Sequence, residues 1–464
     1  MRRPPKVVCL LFNDAGVRAL TVLQGDVNPH YLDNVMAVAD DREVQATEDI
    51  FADNGMKLIA KGKPINREMR DRLIHRKLRK PLEDCMEVAS GVTGEQCAKI
   101  AEEVLDQHEC LRLLCSAPHF NPVKLLAESS FKGRLQTLLT VYAEHKPQKL
   151  HHAVSVTLLG LGLAQRVPSA ALDPTQVLIT AGLCHDVGEL YINPDYLASG
   201  VRLDPQQWRH IAAHPVVAHR LLHDLPGPCR AASLLVLEHH ERLDGFGYPH
   251  GKRGAEISLG SQILAMSEML AGMLSGGRAP LVRADVAVKL IPGEFNRAFI
   301  DVVSQVSHQC TERVTQDGSF APQEALQKAA RLALHLSRME QLQHEFADQF
   351  QRASKPFQNL IADAQERLER IRRAWSSTGL DAHPPHMLTQ MEWSGELGIG
   401  LEVAMILREI VWRLRELERE LRLRVQNLAP ADLHVLDAFA SRMDAMASIP
   451  AETPEPAQAS EALA

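Results

Sequence analysis

Apolar and polar positions alternate in two different periods along this chain. Lys6–Phe12 is a short, largely apolar run closed by Asn13-Asp14, and Leu20–Leu23 precedes a Gly25-Asp26 turn signal. Short runs bounded by turn formers predict strands, and Lys57–Lys61, between Gly55 and Gly62, predicts another. Downstream the helical period takes over, with leucines at 73, 78 and 82 and then at 111, 113 and 114. Residues 322–375 predict one or two long polar helices interrupted near Pro356, followed by a polar, proline-containing loop from Ser376 to Pro385. Leu407, Ile410, Leu414, Leu417, Leu421 and Leu428 then fall on three- and four-residue steps, interrupted by Arg424. That spacing makes a narrow apolar seam, which either packs on its own domain or pairs with another helix as a coiled coil.

The expected fold is therefore mostly α. A small α+β region covers residues 1–65, a helical connector 66–145, a helical bundle 146–312 and a helical extension 313–448. The Pro-, Glu- and Ala-rich tail 449–464 is read as disordered. A length of 464 residues suits two to four such domains.

Composition narrows the function classes. A net charge of −7 and a pI near 6.3 argue against polymeric nucleic acid as the partner. The eight cysteines are scattered without a CxxC pair, as expected for reduced, buried thiols. No run reaches the roughly 18 apolar residues of a membrane span, and the basic start lacks a signal-peptide core. A cytoplasmic location is the expectation.

Ten of the 21 histidines fall between residues 151 and 250. Within that interval stand His185-Asp186-Val187-Gly188, His214-Pro215 and the tract His239-His240-Glu241-Arg242-Leu243-Asp244-Gly245-Phe246-Gly247-Tyr248-Pro249. Imidazoles and carboxylates are ligands for first-row divalent metals. Adjacent His-Asp and His-His positions do not share a helix face, so near a helix end they can serve two neighbouring ions. The histidines at 210, 219, 223 and 250 are read as surface or hydrogen-bonded core residues, and Glu238 as helix surface.

The order His152, His185-Asp186, His214, His239-His240, Glu268 resembles the HD-GYP subgroup of the HD-domain metal-dependent phosphohydrolases, over roughly residues 146 to 310. The tract from His239 to Pro249 matches the subgroup's second signature throughout, continued by Gly251, Gly254 and Ile257. The resemblance implies an HD-type helical bundle and a phosphodiesterase that hydrolyses a cyclic dinucleotide, cyclic di-GMP first, with a metal-bound hydroxide. It implies two divalent ions, iron or manganese, with zinc, magnesium or nickel as further candidates. Asp186 becomes the bridging ligand, and His152, His185, His214, His239, His240 and Glu268 the others, with His151 the runner-up for His152. Arg242 offsets charge on the phosphate, Tyr248 faces substrate or partner, and Arg278 lies near the substrate phosphates.

Three positions depart from the family pattern. Glu189 stands where the first signature usually has lysine, which removes a cation from the substrate side or aims a carboxylate at water or metal. Glu268 replaces the usual aspartate. Gln148 occupies the place of a glutamate that some members use for a third ion, so two ions are expected. Two other functions remain open: an HD phosphohydrolase acting on another nucleotide or phosphomonoester, and a non-catalytic nucleotide sensor or interaction protein. The C-terminal helices are candidates for a homodimer or for contact with a signalling partner.

Overall fold

A computed structural model of the chain describes residues 27–444 apart from 146, 168, 170, 199–202, 275–279, 311–321, 392–396 and 426–427. The candidate strands at Lys6–Phe12 and Leu20–Leu23, the tail 449–464 and Arg278 lie outside the described residues. The described residues are mostly α-helical, with four short strands among them, as the periodicity predicts. It divides into two compact units, one running to residue 276 and the other from residue 277, a division that falls inside the segment 146–312.

The first unit opens with α1 (Pro29–Asp41), whose first turn is closed by Asn28 accepting from the Tyr31 amide and by Pro29, preset for helical φ. Four strands follow: β1 (Val44–Ala46), β2 (Ile50–Phe51), β3 (Lys57–Ile59) and β4 (Met86–Val88). β2 and β3 form an antiparallel hairpin with Ile50 opposite Ile59. β1 pairs antiparallel with β4, Val44 opposite Val88, so this small sheet takes a strand from beyond residue 65.

The helices that matter for function are α2 (Gly94–Gln107), α3 (Arg134–His145), α4 (Pro147–Arg166), α5 (Thr175–Cys184), α6 (Pro205–Ala212), α7 (His214–His223), α8 (Cys229–Glu238) and α9 (Leu259–Leu274). Capping boxes start two of them, Thr93 with Gln96 on α2 and Asp204 with Gln207 on α6. α4 and α5 lack a one-sided stripe because they are central. Val154, Val156, Leu158, Leu159 and Leu163 on α4 are all fully buried, the signature of a helix packed on several sides. α5 packs on α4 and α8, and α9 on α4.

A 3₁₀ turn at Val187–Tyr191 follows α5 and packs against α7. A Cβ at Gly188 would sit 2.1 Å from the His214 carbonyl oxygen, so only glycine lets this turn come so close to the start of α7. α1 holds the far end of the turn. Asn34 Nδ2 donates to the Leu190 carbonyl at 3.1 Å, Asn28 Nδ2 to that of Tyr191 at 3.2 Å, and Tyr31 stacks on Tyr191 at 4.7 Å.

The second unit contains α10 (Pro280–Leu290), α11 (Arg297–Gln309), α12 (Pro322–Glu345), α13 (Lys355–Ser376), α14 (Leu397–Val425) and α15 (Pro430–Asp444). The expected interruption falls between α12 and α13, where Ser354 caps α13 and Pro356 lies in its first turn. The seam of α14 is used within the unit: Leu407, Ile410, Leu414 and Leu417 are buried, and α14 packs on α10, α12 and α13. Phe346, Phe350, Phe357 and Leu436 form a neighbouring apolar cluster.

Candidate metal centre

Five elements of the first unit converge on one buried cluster. His185 is the residue at which α5 ends, His214 opens α7, and His239 is where α8 ends. His152 lies within α4 and Glu268 within α9. Helix ends place successive residues on diverging paths, which is how His185-Asp186 and His239-His240 reach the same volume.

Three imidazoles are held alike. Nδ1 of His185 faces the Gly182 carbonyl at 2.8 Å, that of His214 the Ile211 carbonyl at 2.9 Å, and that of His239 the Val236 carbonyl at 2.6 Å. A carbonyl can only accept, so each Nδ1 carries the proton and each Nε2 is left to bind a cation. These nitrogens surround one carboxylate. Asp186 Oδ1 lies 3.3 Å from His214 Nε2 and 3.6 Å from His239 Nε2, while Oδ2 lies 3.3 Å from His185 Nε2. Glu268 Oε2 lies 3.0 Å from His185 Nε2 and 3.1 Å from His152 Nε2.

Two ligand sets result. Asp186, His214, His239 and His240 can each bring one donor atom within 4.8 Å of the others, and so can His152, His185, Asp186 and Glu268. Among the described residues Asp186 alone belongs to both. The donors fit divalent cations. His214 and His239 point Nε2 at each other across 3.3 Å, and the buried Nε2 of His240 has no hydrogen-bond partner. Lone pairs aimed inward without donors are costly unless a cation lies between them.

The electrostatics agree. Burial raises the carboxyl pKa of Asp186, but His185, His214 and His239 outweigh it and hold the group well below its usual range. Burial likewise opposes, and His152 and His185 overcome it, at Glu268. Burial lowers the imidazole pKa of His239, and burial with the neighbouring imidazoles takes His240 well below its ordinary value, so both rings are neutral and able to bind a cation. At His185 burial again lowers the pKa, but Asp186 and Glu268 win and raise it well above 6.5. A cation bound through His185 would therefore have to displace a proton from its Nε2. Titration calorimetry in buffers of differing ionisation enthalpy is expected to show release of about one proton at neutral pH as metal binds. Affinity should rise with pH until the raised His185 pKa is passed; pH-independent binding across the neutral range would contradict this ligand set.

The tract after His240 builds the wall. Glu241 accepts from the amides of His250 at 2.7 Å and Lys252 at 3.0 Å, and Asp244 Oδ1 accepts from the Phe246 amide at 3.0 Å. Both carboxylates thus close the loop. A Cβ at Gly247 would lie 2.3 Å from the Glu241 Cα, which explains glycine there. Tyr248 is buried and stacks on His240 at 4.6 Å, with Trp208 edge-on to it at 5.9 Å. Arg242 is also buried, its Nη1 donating to the carbonyls of Glu241 at 3.1 Å and His239 at 3.4 Å.

His151 is half exposed and its Nε2 lies 3.6 Å from Glu103, away from both ligand sets. His219 Nδ1 meets the Ser233 carbonyl. Glu238 is buried and paired with Lys252, contrary to its reading as helix surface: the loop folds back over the end of α8. Glu189 is buried and ion-paired with Lys149, a residue that motif matching passed over. The signal was present, since Lys149 stands three positions before His152 and shares its helix face.

Residues 139–294 match the model of the HD domain. The chain is 36% identical over 89 residues to 3'3'-cGAMP-specific phosphodiesterase 3 of Vibrio cholerae, covering 19% of each chain. It is 27% identical over 140 residues to a cyclic di-GMP phosphodiesterase of Thermotoga maritima, covering 30% of this chain and 38% of that one. It is 33% identical over 123 residues to a cyclic di-GMP phosphodiesterase of Pseudomonas aeruginosa, covering 25% and 28%. The matched portions span at most 38% of these relatives. No described helix is long and apolar enough to cross a membrane.

Proposed function

We propose that this chain is a metal-dependent phosphodiesterase that hydrolyses a cyclic dinucleotide, cyclic di-GMP first. The observation that carries the proposal is the single carboxylate of Asp186 shared by two imidazole-rich ligand sets. Its support from relatives is that the similar segments belong to proteins named for hydrolysis of cyclic di-GMP or 3'3'-cGAMP. Two divalent ions would be held by Asp186 with His214, His239 and His240, and by Asp186 with His152, His185 and Glu268. Two divalent ions held there would acidify a water and neutralise charge on the phosphate.

The protein's own groups supply the rest. The carbonyls of Gly182, Ile211 and Val236 hold the rings in one tautomer, so little reorganisation is needed when ligand binds. Burial of the ligand side chains keeps bulk water from competing. Arg242, held at the loop carbonyls, places positive charge behind His239 and His240, and Tyr248 fixes the His240 ring by stacking. The test is hydrolysis of cyclic di-GMP and of 3'3'-cGAMP by the full chain loaded with manganese or iron. Linear dinucleotide or mononucleotide products are expected; full metal occupancy with neither substrate cleaved would refute the proposal.

A further inference from the structure

The ammonium of Lys149 stands at the edge of the carboxylates described above. Its Nζ lies 2.5 Å from Glu189 Oε2 and 3.9 Å from Asp186 Oδ2. The Lys149 side chain is 19% exposed and that of His152 13%, against 6% or less for Asp186, Glu189 and Glu268. Lys149 and His152 come from the same face of α4, so of the residues compared these two lie nearest to solvent.

We propose that Lys149 is the cation that receives a substrate phosphate at this centre, and that Glu189 is a positioning residue holding the ammonium in place. The inference rests on the phosphodiester reading and names a residue that it did not use. A Lys–Glu pair at a buried site contributes little net stability compared with apolar side chains of similar volume, so stability alone does not account for it. The pair is also neutral, so it leaves the charge available to divalent ions unchanged. What it changes is where positive charge sits. An ammonium has three N–H donors, and the ion pair with Glu189 leaves donors for an oxyanion beside Asp186. Glutamate at position 189 thus fixes, from the 3₁₀ turn, a cation supplied by α4.

The test uses the full chain loaded with manganese and inorganic phosphate as the probe, with binding read from ³¹P relaxation. Two variants are compared with wild type: Lys149→Met/Glu189→Gln, which removes both charges at similar volume, and the exchange Lys149→Glu/Glu189→Lys. The neutral variant is expected to keep the wild-type manganese content while binding phosphate about tenfold or more weakly. KM for the cyclic dinucleotide should rise by a similar factor. The exchanged variant should recover phosphate affinity to within about threefold. A purely structural pair predicts unchanged phosphate affinity in the neutral variant, and that result overturns the proposal. Loss of manganese from the neutral variant overturns it too, since Lys149 would then act through Asp186. Lys149-dependent phosphate binding in a chain that cleaves no cyclic dinucleotide would defeat the substrate reading alone. Unchanged phosphate affinity with intact turnover would defeat only the assignment of Lys149.

Discussion

Asp186→Asn is expected to lower turnover by on the order of a thousandfold, about 4 kcal/mol of activation free energy, and to reduce the metal retained by the purified chain. The reason is the double membership of this one carboxylate. Oδ1 faces His214 and His239, and Oδ2 faces His185. An amide keeps one oxygen and turns an NH₂ donor toward the other ligand set, so one position loses its anionic ligand and gains a repelling group. The side-chain volume is unchanged, which separates loss of the centre from loss of the fold. Elemental analysis of dialysed protein and initial rates on cyclic di-GMP measure the two effects. Turnover within a few fold of wild type, at normal metal content, would remove Asp186 from the bridging position.

Arg413→Ala is expected to destabilise the second unit by about 3–5 kcal/mol, the cost of leaving buried charge without its partner. Arg413 is fully buried on α14. It meets Glu294 Oε2 at 3.0 Å, Glu409 Oε2 at 2.8 Å and the Ala287 carbonyl at 2.9 Å. Burial lowers its pKa, but Glu294 and Glu409 outweigh that and raise it above the ordinary arginine value. Arg367 on α13 adds a second guanidinium, 2.6 Å from Glu416 and 3.4 Å from Glu294. Without Arg413, the Glu294 carboxylate loses the shorter of these two arginine contacts. The companion variant Arg413→Met/Glu294→Met removes the stranded charge together with its partner and should recover more than half of the loss. Denaturant unfolding of both variants measures this. A change below about 1 kcal/mol for Arg413→Ala would show that water reaches the network.

The helical character of the chain was legible because apolar spacing is a local record of which face of a helix is covered. That record also located the break near Pro356 and the seam of α14. It left open whether the seam faces its own unit or a second chain, since a stripe of leucines is the same in both cases; α10, α12 and α13 cover it here. The pairing within the small sheet was not legible for a related reason: β1 finds its partner in β4, some forty residues on, and strand pairing leaves no trace in periodicity.

At the candidate centre, the sequence by itself determined the candidate ligand types and their order, because His185-Asp186 and His239-His240 carry their chemistry in adjacent residues. Only the tertiary structure decided that Tyr248 stacks on His240, that Glu241 and Asp244 close a loop, and that Glu189 is answered by Lys149. Those pairings depend on how α4, α5, α7 and α9 approach one another, down to the absence of a Cβ at Gly188. Inter-helix distance is set by packing between segments remote in the chain, which a one-dimensional pattern does not encode.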